Sequence, residues 1–247
     1  MTTSTPQTAL VTGARGGIGR EVVARLRLAG HRIVAVGRDA DALADLDADL
    51  RIAADTTTPE GALAAIHGCA PLGAPALLAH CVGSTLVAPL HRSTPAQYRE
   101  LMRVNLDSAF FMLQAWVDAC RAAQTPGAAV LVSSVVSRIG VANHEAIAAA
   151  KGGIEALARS AAATYAAQRI RVNVVAPGMT DTPMTAGMLR QDAMREGAGR
   201  QYPLGGVQAA GEVADAMAWL LSAGAARITG QVIPVDGGFC SVRPLVR

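Results

Sequence analysis

Near the amino end of this chain, eight residues, Thr12-Gly13-Ala14-Arg15-Gly16-Gly17-Ile18-Gly19, join a short apolar run at 8–12 to a helical pattern at 18–29. A strand that must turn at once into a helix leaves little room for side chains. Glycine alone accepts both positive φ and close backbone approach there. The helix start behind such a turn presents unpaired N–H groups and a partial positive charge. The pattern therefore predicts a cradle for a pyrophosphate, built from Gly13, Arg15, Gly16, Gly17, Ile18 and Gly19. It also predicts the architecture, because this strand–turn–helix opens a βαβ unit.

The rest of the chain keeps that rhythm. Apolar runs at 31–36, 51–54, 75–80, 128–133, 171–176 and 231–235 alternate with helical patterns at 40–50, 60–68, 95–122, 145–168 and 212–222. Alternation of this kind predicts the α/β class: a Rossmann-type doubly wound parallel sheet in three layers, α/β/α, within one domain over residues 1–247. Composition agrees, since 51% of residues are hydrophobic but only 3% aromatic, the mixture of buried parallel strands under small-residue helices. The weakest pattern, residues 179–211, is rich in Gly, Met, Gln and Arg and is expected to be a flap over a site.

Several partner classes are set aside by the same data. The formal charge of +3 comes from scattered cations with no basic stripe, so nucleic acid is not indicated. No apolar run reaches membrane-spanning length, and the leader at 1–7 is short, polar and uncharged, so a cytoplasmic protein is expected. Cys69, Cys81, Cys120 and Cys240 lack metal-ligand spacing and are expected to be thiols in a reducing compartment, with no metal bound.

The second strand bears on the choice of dinucleotide. NAD-preferring folds end this strand with an acid for the ribose 2′-hydroxyl. Here Gly37 stands at that place, followed by Arg38, which together with Arg15 could clamp a 2′-phosphate. NADP(H) is thereby favoured over NAD(H), with Asp39 the competing ribose acid.

From residue 8 to about 239 the chain resembles the short-chain dehydrogenases/reductases. Thr12–Gly19 matches their TGxxxGxG, and Asp55, followed by Thr56, stands where an adenine-contacting acid follows the third strand. Asn105 matches the long-helix asparagine, Ser134 the catalytic serine and Lys151 the lysine of YxxxK. Pro177-Gly178 with Thr180 and Thr182 resembles the stretch beside the nicotinamide, and residues 228–230 and 235–238 the C-terminal signature. The resemblance implies hydride exchange between a dinucleotide and a small-molecule substrate. It also implies a homo-oligomer, tetramer or dimer, formed through the long helices and the last strand.

Two places depart from the pattern. His80-Cys81-Val82-Gly83 replaces the usual NNAG; Cys81 and Gly83 are expected to shape the backbone beside the cofactor. More consequentially, the residue four before Lys151 is Ile147, where the family carries its tyrosine. Isoleucine has no proton to give, and a lost general acid costs about 100- to 10,000-fold in rate. His144, about one turn earlier, is the best substitute donor; Tyr202 on the flap and Glu145 are weaker ones. Asn143 is expected to cap the helix that carries Lys151, with Glu145 in its first turn. Three readings follow: an NADP(H)-dependent oxidoreductase acting on a ketone/alcohol or conjugated enone, a non-redox isomerase, lyase or cyclase, or a catalytically weak partner subunit.

Overall fold

Alternation with period two along the strands settles how the layers form. In the computed structural model, which describes residues 6–245, β1 (Thr8–Thr12) sends Leu10 into one buried cluster and Ala9 and Val11 into another on the opposite face. β5 (Gly127–Val132) does the same, with Ala129 and Leu131 to one side and Ala128 and Val130 to the other. A strand buried on both faces needs helices above and below it. These are α1 (Gly17–Leu28) and α7 (Ala210–Leu221) on one side, α4 (Ser108–Ala122) and α5 (Glu145–Tyr165) on the other. Val22, Val23 and Leu26 of α1 meet Met217 and Leu220 of α7 in one layer, and Met112, Trp116, Ile154 and Ala158 fill the other. The Trp116 indole N–H donates to the Pro75 carbonyl at 2.8 Å, so this large ring is buried with its polar atom satisfied.

The remaining strands of the main sheet are β2 (Arg32–Gly37), β3 (Leu50–Ala53), β4 (Leu77–His80), β6 (Ile170–Pro177) and β9 (Val232–Val235). All seven pair parallel in the order β3-β2-β1-β4-β5-β6-β9. The order reverses between β1 and β4, the point where such sheets open a crevice at their carboxyl ends. Two helices complete the layers, α2 (Pro59–His67) and α3 (Pro95–Met102). Thr94 and Gln97 close a capping box on α3, an arrangement worth on the order of 1 kcal/mol.

Three sequence expectations change. The stretch 40–50 forms only a 3-10 turn, Asp41–Leu43. Polar contacts compete with a helix here: Asp39, just before the stretch, accepts from the Asp41 N–H, Asp49 accepts from the Ile33 N–H, and Asp45 pairs with Arg20. The helix predicted over 95–122 is interrupted by a π turn, Arg103–Asp107, centred on Asn105. Asn143 does not cap α5; it takes φ +65°, and His144 occupies the cap position without a side-chain cap bond. A left-handed residue is a place asparagine tolerates well.

Residues 179–211 hold more structure than expected. β7 (Thr180–Asp181) and β8 (Gln208–Ala209) pair in a small parallel sheet, with α6 (Asp192–Gly199) between them. No helix among the described residues is long and apolar enough to cross a membrane. The leader 1–7 falls mostly outside the described residues.

Candidate active site

The glycine turn follows directly from the sheet geometry. Gly13 adopts φ +63°, and a Cβ there would stand 2.8 Å from the Cys81 backbone at the end of β4. A Cβ on Gly19 would lie 2.3 Å from the Gly13 carbonyl oxygen. Gly16 donates back to Gly13, and the first helical bond of α1 runs from Arg20 to Gly16. The N–H groups of Gly17, Ile18 and Gly19 therefore have no acceptor among the described residues, as a phosphate cradle requires. Thr182 sits over this turn, its methyl only 2.8 Å from where a Gly17 Cβ would project. Arg15 and Arg38 are exposed beyond the ends of β1 and β2, and neither side chain has an ion pair or hydrogen bond among the described residues. Asp55 accepts from the hydroxyl and N–H of Thr57; these bonds, with Arg103 and Arg38 nearby, hold its carboxyl below the usual range. Thr56 is buried beside it.

A buried relay joins the cradle to the helix that carries the π turn. Ser108 Oγ donates to the Val104 carbonyl at 2.6 Å, so its oxygen accepts from His80 Nε2 at 3.1 Å. His80 Nδ1 is left to accept from the Thr12 hydroxyl at 2.8 Å. Burial, and secondarily Lys151, push His80 down to about 3, so the ring is neutral.

The carboxyl ends of β4, β5 and β6 open onto a cavity of about 400 Å³. Lys151 enters it from α5, its Nζ donating to the Val132 carbonyl at 2.9 Å. Burial lowers this amine from 10.5 to about 8. Cys81 lies close by as a neutral thiol, pushed up to about 12 by burial. Gly83 lets the chain pass close to both polar groups, for a Cβ there would be 3.1 Å from Asn105 Oδ1 and 3.3 Å from Lys151 Nζ. The buried Asn105 is fixed by Ser84 on two sides, taking its N–H at 3.2 Å and donating to its hydroxyl at 3.1 Å.

Ser134 also lines the cavity, and its hydroxyl oxygen accepts only a long bond from the Val136 N–H, 3.4 Å. Ile147 lies one turn before Lys151, also on the cavity wall, 4% exposed and packed with Leu101, Leu86 and Val136. His144 stands at the rim, its Nδ1 2.7 Å from the Ala142 carbonyl. A carbonyl can only accept, so Nδ1 carries the proton, and Nε2 accepts in the neutral ring or donates in the imidazolium. Pro177, Gly178, Thr180 and Thr182 close the floor at the end of β6. Glu145 remains exposed in the first turn of α5.

The cavity's outer wall was largely unmarked in the sequence. Met179, Met184 and Met188 form it with Val136, Val141 and Phe239. Tyr202 lies against Phe239, ring centroids 5.1 Å apart, and accepts the Met179 N–H at 2.6 Å. The methionine-rich composition of 179–211 was the available signal.

A strand–glycine–helix cradle, a serine just past the end of β5 and a lysine on α5 that share one cavity are the elements of a dinucleotide-dependent oxidoreductase site. Comparison with known proteins agrees: the family model described as Enoyl-(Acyl carrier protein) reductase matches residues 13–240. The chain is 37% identical to cis-4-hydroxycyclohexanecarboxylate dehydrogenase of Sinomonas cyclohexanicum, over 95% of this chain and 96% of that one. It superposes with TM-score 0.88 on a short-chain type dehydrogenase/reductase from Mycobacterium ulcerans, 28% identical, covering 95% of this chain and 90% of the other. A structure from Agrobacterium tumefaciens, described as a proposed 2-deoxy-d-gluconate 3-dehydrogenase with bound NADP, gives TM-score 0.85 at 28% identity, covering 96% and 98%. The chain belongs to the short-chain dehydrogenase/reductase family and is an NAD(P)-dependent oxidoreductase.

Proposed function

We propose that the protein uses NADP(H) to reduce a neutral, apolar ketone or conjugated enone, or to oxidise the corresponding alcohol, with the proton moved by a group other than residue 147. The observation that carries this is the cavity itself: Ser134 and Lys151 face it, while Ile147 presents only hydrocarbon where the helix comes nearest. Apart from His144 and Lys151 its lining has no charged or titratable cation, and the three methionines favour an uncharged substrate.

When bound, the dinucleotide supplies or accepts the hydride. The free N–H groups of Gly17, Ile18 and Gly19 bind its pyrophosphate, with Asp55 and Thr56 on the adenine side and Cys81, Gly83, Pro177, Gly178, Thr180 and Thr182 around the nicotinamide. Lys151 holds the ribose, Asn105 steadies the Gly83–Ser84 turn beside it, and Ser134 orients the substrate oxygen by donating its hydroxyl. His144 Nε2 gives the proton as imidazolium in reduction and takes it as neutral imidazole in oxidation. NADPH consumption against paired ketones and enones tests the proposal. His144→Ala is expected to lower turnover about 100-fold where His144 is the donor; an unchanged rate removes it from that role. An enone preference would fit the family model's description, because its proton goes to carbon.

The cofactor preference rests on Arg15 and Arg38, whose side chains have no partners among the described residues, and on Asp39, whose carboxylate accepts the Asp41 N–H. Each charge-assisted bond to a 2′-phosphate contributes on the order of 1.5–3 kcal/mol. Arg38→Ala should therefore weaken NADPH binding about 10- to 100-fold and leave NADH nearly unaffected, as read by fluorescence titration. Equal weakening of both would mean that Arg38 does not meet the phosphate. The homo-oligomer implied by the family and the cytoplasmic location expected from the sequence remain part of this proposal.

A further inference from the structure

One turn beyond Lys151 along α5, outside the cavity lining, lies a buried carboxylate that no step above uses. The Glu155 side chain is 7% exposed and does not line the cavity. Its Oε1 lies 3.0 Å from Ser133 Oγ and 2.6 Å from Ser137 Oγ, and Oε2 lies 3.4 Å from Arg138 and 3.7 Å from Arg159. Both serines also reach the catalytic groups' backbone. Ser137 Oγ is 2.6 Å from the Ser134 carbonyl, and Ser133 Oγ is 3.3 Å from the Lys151 carbonyl.

These contacts bracket Ser134. Ser133 precedes it, and Ser137 closes the 3-10 turn, Val135–Ser137, that Ser134 caps. Ile147 has no hydroxyl, so nothing on the cavity side of α5 hydrogen-bonds the Ser134 side chain. Among the described residues, the polar links between the serine turn and the lysine helix are the Lys151 ammonium on Val132, Ser133 Oγ at the Lys151 carbonyl, and the Glu155 cluster. Glu155 is one turn after Lys151 and two after Ile147, on the same helix face, which puts its carboxylate under the turn.

We propose that Glu155 is a positioning residue, holding the Ser134 turn at a fixed separation from Lys151 through the hydroxyls of Ser133 and Ser137. The inference rests on the role given above to Ser134, and its test separates the two. Hydrogen exchange of the full-length protein reads the turn without any substrate. Glu155→Leu is expected to speed exchange of the amides at 134–138 by about tenfold or more, with β5 and the rest of α5 still protected. Glu155→Gln keeps an acceptor oxygen for the serines and should restore slow exchange. If Glu155→Leu does not fold, Ser137→Ala reads the same link and should open the same amides.

Activity then gives the coupling. Glu155→Leu should lower kcat for ketone reduction about tenfold with NADPH affinity within about twofold, and combined with Ser134→Ala it should add nothing to the loss from Ser134→Ala alone. Unchanged exchange at 134–138 in the folded variant overturns the proposal. So do losses that multiply in the double variant. Local loosening as expected in an enzyme whose rate ignores Ser134→Ala would uphold the Glu155 link and refute the role of Ser134.

Discussion

Replacing Ile147 by tyrosine in the His144→Ala background should raise ketone reduction by about 100- to 10,000-fold, the range a well-placed general acid contributes. The place of residue 147 in the site makes it the one to change. It sits one turn before Lys151 on α5, on the wall of the cavity that Ser134 also lines. The isoleucine packs with Leu101, Leu86 and Val136, so the larger ring must extend toward the cavity, which has about 400 Å³ to receive it. Overpacking costs about 1–3 kcal/mol of stability, whereas a 100-fold gain in rate corresponds to about 2.7 kcal/mol of barrier. The measurement is kcat/KM for the best ketone alongside the thermal midpoint. A folded double variant with an unchanged rate would show that the proton arrives by a route other than residues 144 and 147. For an enone substrate the gain should be small.

Removing the ammonium from the other side of the site should have the opposite effect. Lys151→Met is expected to lower kcat/KM on the order of 100-fold, about 2.7 kcal/mol of lost charged hydrogen bonding. The pH dependence identifies the cause. Burial brings the amine from 10.5 to about 8, so it is charged below that value and loses its charge as pH rises through it. NADPH affinity of the unaltered protein should therefore decline above pH 8, and the variant should lack that limb. An identical decline in Lys151→Met would assign the limb to another group.

Much of where this candidate site lies was legible in the sequence, for physical reasons specific to the residues. A glycine turn between a strand and a helix has few folds open to it, and Gly13, Gly17 and Gly19 each stand where a Cβ would collide. Lys151, Ser134 and Asn105 were found by resemblance, and the structure brings all three to one cavity or its edge. The helix expected at 40–50 failed because Asp39 and Asp49, at its two ends, found better acceptor roles at Asp41 and Ile33, a competition that apolar spacing does not report. Asn143 failed as a cap because the same side chain that caps helices also suits a left-handed turn. Glu155 was legible in principle, four residues after Lys151, but spacing does not say which face of α5 meets the serine turn. Tyr202 and the Met-rich stretch 179–211 were singled out in the sequence, but which of their side chains line the cavity depends on the path of that stretch, which spacing does not report.

The relay from Thr12 through His80 to Ser108 has a consequence for how this enzyme can vary. An imidazole held at both nitrogens, with one tautomer fixed by a carbonyl at the end of the line, behaves as a rod of set length. One end is anchored at the residue that begins the glycine turn, the other in the helix just beyond Asn105. The setting of the glycine turn and that of the asparagine are thus mechanically one adjustment. A substitution that shortens or slackens the rod disturbs both at once, however far it lies from substrate.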